Sequence, residues 1–344
     1  METILLSLND LSFVFWLTAM SFVVAILLTP LLTDYLYSHK VWKRPRDTAI
    51  TGERTPVFTK LHAAKHKRHI PTMAGVLIWG VVAIMTLLFN LDRAGTWLPL
   101  GIMVAAGLLG LADDYVNITW SDRNGIKGLR TSVKFGAQLL IAGVGAWWFF
   151  TKLGFDILHV PGVGDFSLGL WYVPLFMLVI IAAANAVNIT DGLDGLAGGL
   201  LAIVFTAYAV IALTQGNIPL AGFCGSMVGA VLAYTWFNIY PARFIMGDTG
   251  SLATGATLGV VAMLTNTALP LILIAGVFVI ETLSSILQIA SKRLVGRKIF
   301  NSAPLHHHLE SLGWPETMVT MRLWVIGGMF AIVGLVVALF GQGQ

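Results

Sequence analysis

Ten stretches of this chain are long and apolar enough to cross a bilayer, and nothing else in it constrains the fold as strongly. A spanning helix needs about 20 apolar residues. The candidates fall at 13–33, 71–90, 97–113, 131–150, 171–188, 194–213, 218–239, 250–267, 269–290 and 321–341. In lipid every backbone polar group has to be satisfied inside its own segment, so stretches like these become helices. The sequence therefore predicts an all-α, polytopic integral membrane protein, with residues 1–344 as a single transmembrane domain. Its polar loops are 34–70, 113–130, 188–194, 240–250 and 291–320. The first span follows METILLSLNDLSF, which has neither a basic n-region nor a small-residue cleavage site, so it is expected to persist as the first helix.

Composition agrees. Hydrophobic residues make up 57% of the 344 and charged residues only 11%, against about 25% charged in a soluble domain. That balance excludes a disordered chain and a disulfide scaffold. A net charge of +4 carried by so few ionisable groups also argues against nucleic acid as a partner. Cys224 is the single cysteine, so no intramolecular disulfide can form.

Charge distribution sets the orientation. If ten helices alternate, 19 of the 21 Lys and Arg residues fall on one side of the membrane, and only Arg93 and Lys152 fall on the other. The positive-inside rule makes the basic side cytoplasmic and puts both termini on the opposite side.

The acidic residues gather on the same face. Asp113, Asp114, Asp122, Asp191, Asp194 and Asp248 all map to cytoplasmic helix ends, and ionisable groups at or within spans are functional candidates. LLGLADDYVN puts two adjacent carboxylates where the third span ends, a pairing suited to Mg²⁺ or to proton transfer. A solvated helix end is the plain alternative. In ANAVNITDGLDGLAGG, Asn188, Asp191 and Asp194 recur every three residues and share one face if the stretch is helical. Asp194 can also cap the following helix. FNIYPARFIMGDTGSLATG sets Asp248 at a helix start, where backbone N–H groups favour a phosphate. SAPLHHHLESLGW holds three consecutive His without the i, i+4 spacing or Cys partners of a zinc site, so it suits hydrogen bonding near phosphates instead. KLHAAKHKRHIPTMAG is a basic run, with Pro71 opening the second span. Glu281 is the one acid far from an interface. With Ser284, Ser285, Gln288 and Ser291 it forms a polar seam expected to face the bundle interior as packing.

Carboxylates, Gly-rich helix starts and basic loops thus meet at one surface of an apolar bundle. A doubly charged phosphate ester meeting a lipid fits that combination, so the residues alone point to a metal-dependent phosphoryl-type transferase with a membrane-bound acceptor.

DDY at 113–115, NAVNITDGLDGLAGG at 185–199, MGDTGSL at 246–252 and APLHHHLESLGW at 303–314 resemble the polyprenyl-phosphate N-acetylhexosamine-1-phosphate transferases, and the likeness runs through nearly the whole chain. The His triplet with its Glu and Gly-Trp is the most specific part. It is similar to the branch whose donor is UDP-MurNAc-pentapeptide, and relatives using UDP-GlcNAc lack it. The resemblance implies ten transmembrane helices, both termini outside the cytoplasm, and a homodimer. It implies transfer of phospho-MurNAc-pentapeptide to undecaprenyl phosphate with Mg²⁺, giving lipid I and UMP in peptidoglycan synthesis. Carried onto this sequence, Asp113, Asp114, Asp248 and His306 form the catalytic set, and Asp248 binds Mg²⁺. Lys67, Thr72, Lys127, Asn188, Asp191, Asp194, His307 and His308 contact the substrate. The family's aromatic residue directly before Met-Gly-Asp is replaced here by Ile245, with Phe244 one place earlier, so a uracil-stacking ring is shifted or absent. Ala74–Gly75 stands where the family has Gly-Gly.

Two other readings share some of these features. A UDP-GlcNAc:polyprenyl-phosphate GlcNAc-1-phosphate transferase would keep the Asp motifs, but HHHLESLGW argues against it. An ion or solute transporter would use intramembrane carboxylates, yet transporters place them near the midplane rather than at one surface.

Overall fold

The computed structural model describes residues 7–42, 69–119 and 128–340, and each predicted span is helical over most of its length. In chain order the helices are α1 (Leu8–Ser38), α2 (Gly75–Phe89), α3 (Trp97–Thr119), α4 (Thr131–Lys152), α5 (Tyr172–Thr190), α6 (Leu196–Thr214), α7 (Ile218–Asn238), α8 (Gly247–Leu264), α9 (Leu271–Ile274), α10 (Gly276–Leu294), α11 (Leu305–Ser311) and α12 (Glu316–Phe340). Among the described residues, seven helices (α1, α3 to α7 and α12) are long and apolar enough to cross a membrane. Their outer faces keep large apolar side chains exposed, such as Leu27, Leu31, Leu140 and Val325. This is a multi-pass membrane protein.

The three other long helices differ from the seven for physical reasons. Helix α2 is short, at 15 residues. Helix α10 carries Glu281, Lys292 and Arg293. Helix α8, GDTGSLATGATLGVVAML, is built mainly from small residues, and every residue in it except Asp248 is buried. A helix buried all round is shielded from lipid, so it does not need high hydropathy. Gly75 of α2 and Gly110 of α3 face α8, Gly107 of α3 faces the Trp79 ring of α2, and Gly255 and Gly259 of α8 face α5. A Cβ at any of these positions would press on its neighbour or its neighbour's backbone. The hydroxyls of Thr254 and Thr257 donate to the carbonyls of Gly250 and Ala253 at 2.9 and 2.7 Å, which satisfies them inside the bundle. Helix α8 is thus the pillar around which α2, α3 and α5 pack.

Two elements depart from the expectation. The predicted span 269–290 is divided at Ala275 into α9 and α10. Around that break Gly276 lies against the Phe330 ring and Gly334 against the Ile274 backbone, so α12 closes tightly over it. Between α4 and α5 an antiparallel hairpin forms, β1 (Ile157–Val160) with β2 (Gly164–Ser167). Four-residue strands are too short to show a period of two. The hairpin is held by tertiary contact, the His159 N–H donating to Asn266 Oδ1 at 3.1 Å beyond the C-terminal end of α8. That end is opposite the one bearing the candidate site.

Candidate active site

The site forms at the N-terminal end of α8, where two segments distant in sequence are joined by backbone hydrogen bonds. Ile245 N–H donates to the Pro71 carbonyl at 2.8 Å, Ala74 N–H to Ile245 at 3.1 Å, and Gly75 N–H to Met246 at 3.0 Å. Pro71 therefore does not open α2, which begins at Gly75. Residues 71–74 instead bind the approach to α8. Gly247, at φ +72°, makes the turn into that helix. A Cβ there would overlap Asp114 Oδ2 and crowd Thr72 Oγ1, so the conformation and the close approach both require glycine. Thr72 is thus brought beside Asp114, with its hydroxyl fully buried.

The two adjacent aspartates separate in role. Asp114 is fully buried, and its Oδ2 accepts the Thr249 N–H at 3.1 Å, fixing the first turn of α8 to α3. Thr249 Oγ1 completes the junction by donating to the Gly107 carbonyl at 3.0 Å. Asp113 is the less deeply buried of the two. Its Oδ1 accepts the Leu129 N–H at 2.6 Å, drawing the segment before α4 back over α3, and its Oδ2 accepts from Lys134 Nζ at 3.2 Å. Lys134 also donates to Asp248 Oδ2. One ammonium from α4 therefore sits between carboxylates from α3 and α8, and it offsets the repulsion they would otherwise exert. Lys134 falls within the predicted span 131–150, and an ionisable group in a span is itself a functional signal.

The Asn188–Asp191–Asp194 series does not lie on one helical face. Helix α5 ends at Thr190, Asp191 is its C-cap, and Gly195 at φ +79° starts α6 without a side-chain cap. Asn188 Nδ2 donates to Ser251 Oγ at 2.8 Å, so it braces α5 on α8. Asp194 does not cap α6. Its Oδ2 accepts the Ala242 N–H at 3.0 Å, and its own N–H donates to Glu316 Oε1 at 2.7 Å. Asn238 accepts the Gly195 N–H at 2.9 Å and donates to the Phe244 carbonyl at 2.8 Å, tying the same two loops together. Phe244 is fully buried between Tyr234 and Phe237, a core ring with no face open for stacking, and Ile245 is half-buried.

The His triplet forms the short helix α11. His306 Nδ1 lies 3.0 Å from Glu281 Oε2, and both residues are fully buried. His307 Nδ1 lies 2.8 Å from Glu310 Oε2, and His308 Nδ1 accepts the Asn301 N–H at 3.3 Å. The polar seam of α10 faces the loop that carries these histidines. Gln288 Oε1 accepts the N–H groups of Ile299 and Phe300 at 3.0 Å each, and Ser291 Oγ donates to the Arg297 carbonyl at 2.8 Å. Trp314 is covered by the Arg322 guanidinium, 4.4 Å from its ring centroid. Lys67 and Lys127, expected at the substrate, lie outside the described residues.

As to a metal, no cluster of three or more His, Cys, Asp or Glu side chains is present among the described residues. Mg²⁺ does not need one, because it keeps several waters and takes one or two carboxylates together with substrate phosphates. Asp113 and Asp248, already drawn to a single cation, fit that requirement.

Residues 96–266 match the family model described as glycosyl transferase family 4. The chain is 40% identical over 323 residues to a phospho-N-acetylmuramoyl-pentapeptide-transferase of Geobacillus thermodenitrificans, covering 92% of this chain and 95% of that one. It is 39% identical over 345 residues to the protein of that name from Chloroflexus aurantiacus, with 96% and 91% covered. The one from Shouchella clausii is 37% identical over 327 residues, with 93% and 96% covered. With identity of this order along nearly its whole length, the chain belongs to the phospho-N-acetylmuramoyl-pentapeptide-transferase family.

Proposed function

We propose that this chain transfers phospho-MurNAc-pentapeptide from UDP-MurNAc-pentapeptide to undecaprenyl phosphate at the cytoplasmic face of the membrane, releasing UMP and forming lipid I. The observation that carries this reading is the convergence of Asp113, Lys134 and Asp248, from three helices, at one end of an apolar bundle. An oxygen of the lipid phosphate forms a bond to the sugar-bearing phosphorus. The bridging P–O bond to the uridine-bearing phosphate breaks, and UMP leaves with that electron pair. Such a reaction needs positioning and charge compensation more than covalent help from the protein.

The chain's residues divide that work. Asp114 and Thr249 lock the start of α8, so Asp248 is presented on a fixed first turn. Asp113, the less deeply buried of the adjacent pair, takes the proton from the lipid phosphate. Lys134 balances Asp113 and Asp248 in the substrate-free protein. Asp248 together with Asp113 would hold Mg²⁺, which when bound supplies charge neutralisation for the diphosphate. The loop of 191–195 and helix α11, which meet at Gly192 and His306, would bring Asp191 and the histidines to the donor.

The test is UMP release by purified protein with Mg²⁺ and undecaprenyl phosphate, supplied with either UDP-MurNAc-pentapeptide or UDP-GlcNAc. Release with the first donor is the expected result. Release only with the second overturns the assignment.

A further inference from the structure

We propose that Glu281 is a positioning residue that aims the Nε2 edge of His306 at the donor substrate. Its carboxylate takes three contacts from one histidine. The His306 backbone N–H lies 3.2 and 3.3 Å from its two oxygens, and ring Nδ1 lies 3.0 Å from Oε2. Both side chains are fully buried. A carboxylate only accepts, so Nδ1 carries the proton and the ring is held in one orientation and one tautomer.

This leaves Nε2 as the other working edge of the ring. It is buried and has no hydrogen-bond partner in the protein. A histidine serving only to pack would have both nitrogens satisfied. The surroundings do satisfy their polar groups: two turns along the same helix, Gln288 uses its amide oxygen twice and its Nε2 once, donating to the Phe300 carbonyl at 2.9 Å. His306 Nε2 instead abuts Gly192, where any Cβ would overlap it. Gly192 lies between Asp191 and Leu193 in the loop that ends α5, so the missing side chain lets this loop lie directly against the ring edge. A carboxylate on one helix, an imidazole on a second and a side-chain-free residue on a third segment together leave Nε2 with one hydrogen bond to accept, from a hydroxyl entering between the loop and α11. In other enzymes a buried carboxylate fixes a histidine tautomer in the same way.

The identity of that oxygen, a sugar hydroxyl of the UDP-linked donor that donates to Nε2, rests on the transferase reading. The geometry of the pair does not. Glu281→Gln keeps the shape and an acceptor but removes the charge. We expect its donor KM to stay within about twofold while kcat falls about 10- to 100-fold, the usual loss for an orienting partner. His306→Ala alone and the double variant should then have equal kcat, because two residues acting as one unit are not additive. Selective ¹⁵N-histidine spectra of the substrate-free protein should show one buried imidazole protonated at Nδ1, with that signal lost in Glu281→Gln. Wild-type kcat in Glu281→Gln, additive losses in the double variant, or a proton on Nε2 in the neutral wild-type ring would each overturn the proposal. Should the expected spectra appear in a protein that releases no UMP, the positioning role stands and the transferase reading falls.

Discussion

Lys134 on α4 donates to the carboxylate of Asp248 on α8, residues 114 positions apart in the chain. The same ammonium reaches Asp113, so two carboxylates that would repel each other share one cation. The three groups lie in a bundle whose helices otherwise meet mostly through apolar or small residues.

Replacing Lys134 by Met removes that cation. We expect unfolding in detergent to begin at lower temperature, by an amount corresponding to about 1.5–3 kcal/mol for lost charge-assisted hydrogen bonds. Added Mg²⁺ should restore more of the midpoint in this variant than it adds to wild type, since the ion can take over the lysine's electrostatic task. Thermal scans with and without Mg²⁺ check this, and equal shifts in the two proteins would refute it.

Asp248→Asn keeps size and hydrogen-bonding capacity at a half-buried position in the first turn of α8. Folding should survive, because Asp114 and Thr249 hold that turn. UMP release should fall on the order of 10²–10³-fold or more, the scale for removing one group that stabilises developing charge. A variant as active as wild type would remove Asp248 from the metal centre.

Gly247→Ala is expected to be severe without touching any ionisable group. The left-handed backbone costs about 1–2 kcal/mol, and forcing a methyl group against Asp114 and Thr72 adds about 1–3 kcal/mol. Gly80, in α2, has no heavy atom within 4 Å of its would-be Cβ, so Gly80→Ala serves as the control and should leave the midpoint unchanged or slightly raised. Circular dichroism melts of both variants measure the contrast.

Asp194→Ala should act on stability before it acts on chemistry. The Ala242 N–H would lose its acceptor in a buried setting, at about 1–3 kcal/mol. Loosening of the 240–246 loop should appear as faster protease cleavage there. Asp191→Ala, at a more open position, should leave the melting midpoint near that of wild type. If the two variants melt alike, the division between these aspartates is wrong.

The sequence by itself determined the membrane class, the ten helical stretches and the motifs that form the site. Span length and apolar content are local properties, and each is legible one segment at a time. It also marked Asp113, Asp114 and Asp248, because carboxylates are conspicuous beside apolar runs. Only the tertiary structure decided which groups share work. Lys134 reads as one more basic residue until α3, α4 and α8 converge. Glu281 reads as packing until α11 folds back onto it, 25 positions later in the chain. Asn188, Asp191 and Asp194 look like one helical face, but α5 ends at Thr190 and α6 starts from Gly195, which leaves Asp194 in the connection, bonded to the 240–246 loop. Phe244 looks like a ring displaced from a binding place, and packing makes it core. Each of these outcomes depends on contacts between segments far apart in the chain, which no periodicity or composition within a segment records.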